Sequence, residues 1–129
     1  MTETGIDAVR RWMESHRNDI IEDMRRIVNI RSVSEPDSDV LPFGKGCRKV
    51  LDTMLELAAG KGFKTDCFNY YGGKISFASG SGKEIGIWSH LDVVPEGNGW
   101  TYPPYEMTVV DDFLIGRGVQ DRKSTRLNS

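Results

Sequence analysis

His90 and Asp92 are the residues whose types and spacing most directly invite chemistry. They follow a short apolar run, Ile85-Gly86-Ile87-Trp88-Ser89, whose β-branched residues predict a buried strand. In extended backbone, residues two apart project to the same side, so the imidazole and the carboxylate point together. A metal-binding histidine is served by such a neighbour. A carboxylate on one ring nitrogen fixes the tautomer and makes the ring a better ligand. Alone, His-x-Asp has low specificity, because a satisfied structural histidine at a strand end shows the same pattern. Downstream lie a polar glycine-rich loop, Pro95-Glu96-Gly97-Asn98-Gly99-Trp100, a hairpin-like segment, and Gly116-Arg117-Gly118-Val119-Gln120-Asp121.

Other reactive residue types have plainer readings. His16 lies on the apolar side of a helical stripe with no second ligand near it in sequence, which predicts a packed or half-exposed side chain. The serines of Ile30-Arg31-Ser32-Val33-Ser34-Glu35-Pro36 have no evident base partner and read as turn residues rather than nucleophiles. Asp111-Asp112 stands between two short apolar runs, where turn chemistry accounts for a carboxylate pair better than metal binding does. The glycines include no GxxxxGK[ST] pattern, so a phosphate loop is set aside in favour of hairpin turns.

The elements that must position His90 follow from periodicity. Val9, Met13, His16, Ile20, Met24 and Ile27 recur at steps of three and four, predicting one long helix or two broken near Ser15-His16. Residues 32–46 read as a loop punctuated by Pro36, Pro42, Gly44 and Gly46. A second amphipathic helix is predicted over Cys47–Ala59, with Val50, Leu51, Met54, Leu57 and Ala58 inward and Gly60 and Gly62 as its stop. The period then changes to two. Strands are predicted at 63–67 and 74–78 around a turn at Gly72-Gly73, and a hairpin pairs 107–110 with 113–115. The order, helices followed by several strands, implies an α/β or α+β sheet with helices packed on it.

The chain has 129 residues, 38% hydrophobic and 28% charged, with a formal net charge of −2. That is the composition of an ordinary globular protein. The sequence pI is about 5.7. No basic face is advertised to nucleic acid or anionic lipid. No apolar run approaches the ~20 residues a membrane span needs. The first residues lack the basic and apolar regions of a signal peptide, so a cytoplasmic location is expected. Cys47 and Cys67 lack CxxC spacing and are expected to be reduced structural thiols.

Three strings taken together carry more than His-x-Asp alone. SHLDVVPEGNGW, TYPPYEM and IGRGVQD, in that order, resemble the metal-binding segment of the M20 family of zinc peptidases and deacylases. Within it, the chain is most similar to bacterial dipeptidases of the PepV and Sapep type. The resemblance implies a zinc-peptidase fold, a mixed sheet sandwiched by helices with the metal site at one end of the central strands. It also implies two Zn2+ ions that activate a water against the bond of a small dipeptide, with Co2+ or Mn2+ as alternative metals. Carried over by position, His90 matches a metal ligand and Asp121 the carboxylate bridging both ions. Asp92 matches the catalytic-site aspartate that orients the histidine. Arg117 matches a structural turn and takes no chemistry, and Glu96 and Glu106 match no ligand position.

In the family, the general-base glutamate and the remaining ligands lie downstream of the bridging aspartate. Residues 122–129 depart from the family's pattern and read as a non-native tail resembling translated adapter sequence. The expectation is therefore that residues 1–121 are the N-terminal portion of a truncated catalytic domain, inactive by itself. An N-acyl-amino-acid deacylase shares the same framework. An alternative of another class is a non-catalytic interaction module that retains the scaffold.

Overall fold

The computed structural model describes residues 4–77, 80 and 82–119. Asp121 and the 122–129 tail lie outside the described residues. Three helices and four short strands follow in chain order: α1 (Gly5–Ser15), α2 (Arg17–Val28), α3 (Gly44–Gly60), β1 (Lys64–Cys67), β2 (Gly73–Ser76), β3 (Thr108–Val110) and β4 (Phe113–Ile115).

The first apolar stripe resolves into two helices. Thr4 caps α1 by accepting a hydrogen bond from the Asp7 N–H, which satisfies one of the donors a helix start leaves open. The break falls at His16, whose Nδ1 lies 2.8 Å from the Trp12 carbonyl and whose ring stacks on the Trp12 indole at 4.3 Å. His16 is half-buried, as its place on the stripe predicts. The apolar face of α1 remains in solvent, with Ile6 72% and Val9 59% exposed. Burial grows along α2 and is complete at Val28.

Helix α3 begins at Gly44, three residues before the predicted start at Cys47, and buries Val50 and Ala58. It packs on the β1–β2 hairpin, where the backbone at Gly73 approaches Leu51 and Leu55 closely. Strand β1 pairs antiparallel with β2, Lys64 opposite Ser76 and Cys67 opposite Gly73. The turn between them is carried by Asn69 and Tyr70, both left-handed, rather than by Gly72-Gly73. Strand β3 pairs antiparallel with β4. Its two turn residues, Asp111 (φ 46°) and Asp112 (φ 67°), take the left-handed conformations that a two-residue hairpin turn requires. Asp112 also accepts from Arg17 at 2.7 Å, so these carboxylates serve the turn and an ion pair. That hairpin is tied to the end of α2. Buried Met107 donates its N–H to Asn29 Oδ1 at 2.7 Å and accepts from Arg25 at 2.6 Å on its carbonyl.

Two expectations require correction. The strands form two separate two-stranded antiparallel sheets, and no single mixed sheet exists among the described residues. The stretch Ile85–Ser89 is neither strand nor buried: Ile85 and Ile87 are each 91% exposed and Trp88 96%. An apolar alternation becomes a strand only where another strand takes its N–H and C=O groups and covers its side chains. Among the described residues, the sole ladder contact in this region is one parallel bridge, Val33 with Val93. No described helix is long and apolar enough to cross a membrane.

Candidate metal-ligand segment

Although the strand before it is absent, the local geometry at His90 follows the sequence. His90 Nδ1 lies 3.2 Å from Asp92 Oδ1 and 3.0 Å from the Asp92 carbonyl oxygen. Carbonyl oxygen accepts only, and an ionised carboxylate does likewise, so this arrangement calls for the proton on Nδ1. In the neutral ring the lone pair then sits on Nε2. That is the arrangement in which a carboxylate prepares a histidine for a metal ion. The pair therefore fits the role of one ligand with its orienting partner. A complete shell does not: no group of three or more His, Cys, Asp or Glu side chains among the described residues is placed to hold an ion. His90 and Asp92 are 62% and 55% exposed at their side chains.

The segment is held from the loop between α2 and α3. Ser32, 2% exposed, donates from Oγ to the Leu91 carbonyl at 2.8 Å. Its own carbonyl accepts from the Val93 N–H at 3.1 Å and from Cys47 Sγ at 3.4 Å. The reading of this serine as non-nucleophilic agrees with a hydroxyl committed to a carbonyl. Burial, then the charges of Asp92 and Glu35, push the Cys47 thiol up from its ordinary value, which keeps it protonated and a donor. Both cysteines are free thiols.

A second cluster centres on Glu96, a residue that spacing had left without a role. Its carboxylate accepts from Arg31 Nε at 3.1 Å and from the Tyr105 hydroxyl at 3.1 Å. Its carbonyl accepts from Trp100 Nε1 and from Arg117, each at 2.7 Å. The Arg117 guanidinium lies over the Trp100 ring at 4.9 Å, and its backbone N–H bonds the Pro104 carbonyl at 2.7 Å. Arg117 thus ties its own turn to the Glu96 loop and to Pro104. Glu96, Trp100, Tyr102 and Arg117 also line an open cavity of about 480 Å³. No sequence signal marks this network, since Arg31 and Glu96 are 65 positions apart.

The hydrogen bond from its own backbone N–H, then those from Tyr105 and Arg31, hold the Glu96 carboxyl below the usual range and outweigh burial. Burial first, then Glu96, pushes Tyr105 up. A carboxyl depressed in the folded state contributes stability above its unfolded value of ~4.3, and that contribution is lost as pH falls through the folded value. Glu96→Gln should therefore melt below wild type at neutral pH, and the gap should close as pH falls below the ordinary glutamate range. Melting curves across pH test this. A gap that persists unchanged into acid would show that the charge on Glu96 is immaterial.

The outcome for the three predicted site residues is uneven. His90 and Asp92 are brought together, while Asp121 lies outside the described residues. No protein-family model matches the chain. The chain is 37% identical over 114 residues to a protein of Staphylococcus haemolyticus (strain JCSC1435) named "putative dipeptidase". It is 38% identical over 114 residues to proteins of the same description in Staphylococcus aureus strains USA300 and NCTC 8325. Each alignment covers 86% of this chain but 24% of the relative, so the chain spans about a quarter of the length of the curated relatives it matches.

Proposed function

We propose that the chain is the N-terminal part of a longer M20-type, zinc-dependent dipeptidase acting on small peptides. The observation that carries this reading is the His90–Asp92 contact, set within a sequence similar to proteins named as dipeptidases. Two bound zinc ions would supply an activated water and polarise the scissile carbonyl. His90 would contribute Nε2 to one ion, Asp92 would hold the His90 tautomer, and Asp121 would bridge the pair. Arg117 and Glu96 would fix the turn before Asp121. An ion of this kind needs about four ligands, and among the described residues no group of three or more His, Cys, Asp or Glu side chains is placed to hold one.

The test is to express a reading frame of the relatives' length that begins with residues 1–121. It should cleave unblocked dipeptides, lose that activity to a chelator and regain it with zinc. The 129-residue chain should show no turnover. Cleavage of N-acyl amino acids in place of dipeptides would move the assignment to a deacylase. Full activity in the presence of chelator would remove the metal from it.

A further inference from the structure

The contacts around Asp92 are arranged so that one residue grips both of its neighbours. Ser32 takes the Leu91 carbonyl with its hydroxyl and the Val93 N–H with its own carbonyl. The two bonds bracket Asp92, whose carboxylate and carbonyl both face His90 Nδ1. We infer that Ser32 is a positioning residue for the His90–Asp92 pair, reaching the imidazole through the backbone on either side of Asp92.

Three observations support this. First, His90 and Asp92 are both well exposed, so neither is locked by packing of its own. A solvated contact between residues two apart is weak by itself, so the backbone that carries the pair contributes to its geometry. Secondly, Ser32 is the one polar side chain in the buried set of the described residues, and the parallel bridge Val33–Val93 continues the same grip by one residue. Thirdly, the loop that carries Ser32 is anchored at both sides. Arg31 pairs with Glu35 at 2.7 Å and with Glu96 at 3.1 Å, and the Cys47 thiol of α3 bonds the Ser32 carbonyl. A buried hydroxyl bonded to a carbonyl is enough to shift a local conformation several-fold without unfolding the chain.

Its importance for catalysis rests on the metal-ligand reading of His90; the positioning itself does not. Both can be read separately on the two histidines, His16 and His90, by long-range proton–nitrogen NMR of the 129-residue chain at a pH where both rings are neutral. Wild-type His90 should show the Nδ1–H tautomer, as should His16, whose Nδ1 faces the Trp12 carbonyl. Ser32→Ala should move His90 toward the Nε2–H form that an unrestrained imidazole prefers, while His16 keeps its signature. If Ser32→Ala also erases the His16 signature, the chain has opened generally, and Ser32→Cys, a weaker donor of similar size, is read by the same criteria. A His90 tautomer unchanged in a variant that retains the His16 signature overturns the inference. In the longer enzyme, Ser32→Ala should weaken zinc binding several-fold, less than loss of the partner that touches the ligand directly. A tautomer shift without any change in zinc affinity would leave the positioning role intact and count against His90 as a ligand.

Discussion

Alanine at position 46 is expected to lower the melting temperature of the chain by roughly 5 °C. Gly46 lies in the first turn of α3, where that helix presses on the loop carrying Arg31 and Ser32. An added Cβ would collide with the Arg31 carbonyl oxygen and stand 3.3 Å from the Ser32 Cα. Both are backbone atoms and cannot swing aside as a side-chain tip would. Helix propensity favours alanine over glycine by about 1 kcal/mol, whereas forcing extra volume into a packed contact costs about 1–3 kcal/mol. The collision should win, because the loop would have to leave its bonds to Leu91 and Val93 to make room. Gly60→Ala is the matching control: a Cβ there meets nothing within 4 Å, so its melting temperature should hold or rise. Circular-dichroism melts of both variants decide the matter. A Gly46→Ala chain as stable as wild type would show that α3 does not bear on the 31–33 loop.

If His90 is a metal ligand as proposed, His90→Ala should abolish dipeptide turnover by the longer enzyme, because it would remove a ligand of the ions that would generate the nucleophile. Asp92→Ala should be milder, and the geometry says by how much. Loss of the partner behind a metal ligand typically costs ~10–100-fold. Here the Asp92 carbonyl also faces Nδ1, at 3.0 Å, and it survives the substitution. The loss should therefore fall near the low end of that range. Steady-state rates at saturating zinc measure both effects. Equal, complete loss in both variants would mean that the Asp92 carboxylate does more than orient the ring.

What could be read in advance was whatever depends on neighbours in sequence. The inward face of Val50 and Ala58 and the hairpin around Asp111-Asp112 are settled within a few residues by periodicity and turn chemistry. The His90–Asp92 contact is of the same kind, two residues apart. The apolar stripe, by contrast, left one helix or two broken near Ser15-His16 open, and the structure resolves it into two. The strand at Ile85–Ser89 failed because its pattern states a preference for burial without supplying the strands that would bury it. Those are not among the described residues, and the side chains stand in solvent. The Ser32 grip on Leu91 and Val93, and the Glu96 cluster, were illegible for another reason. The Ser32 hydroxyl reaches across 59 positions to a backbone carbonyl, which any residue type offers, and the Arg31–Glu96 pair joins two surface charges 65 positions apart. Gly46 left only an ambiguous trace, a glycine that looked like loop punctuation and proved to be a contact point inside a helix.

Zinc content of the longer enzyme, wild type against His90→Ala, bears most directly on whether this segment carries a metal ligand. Elemental analysis after exhaustive dialysis should find about two ions per wild-type chain, the number a two-metal hydrolase holds. It should find about one or fewer in His90→Ala, with circular dichroism unchanged. A His90→Ala enzyme that retains the full wild-type zinc content and still cleaves dipeptides would contradict the account.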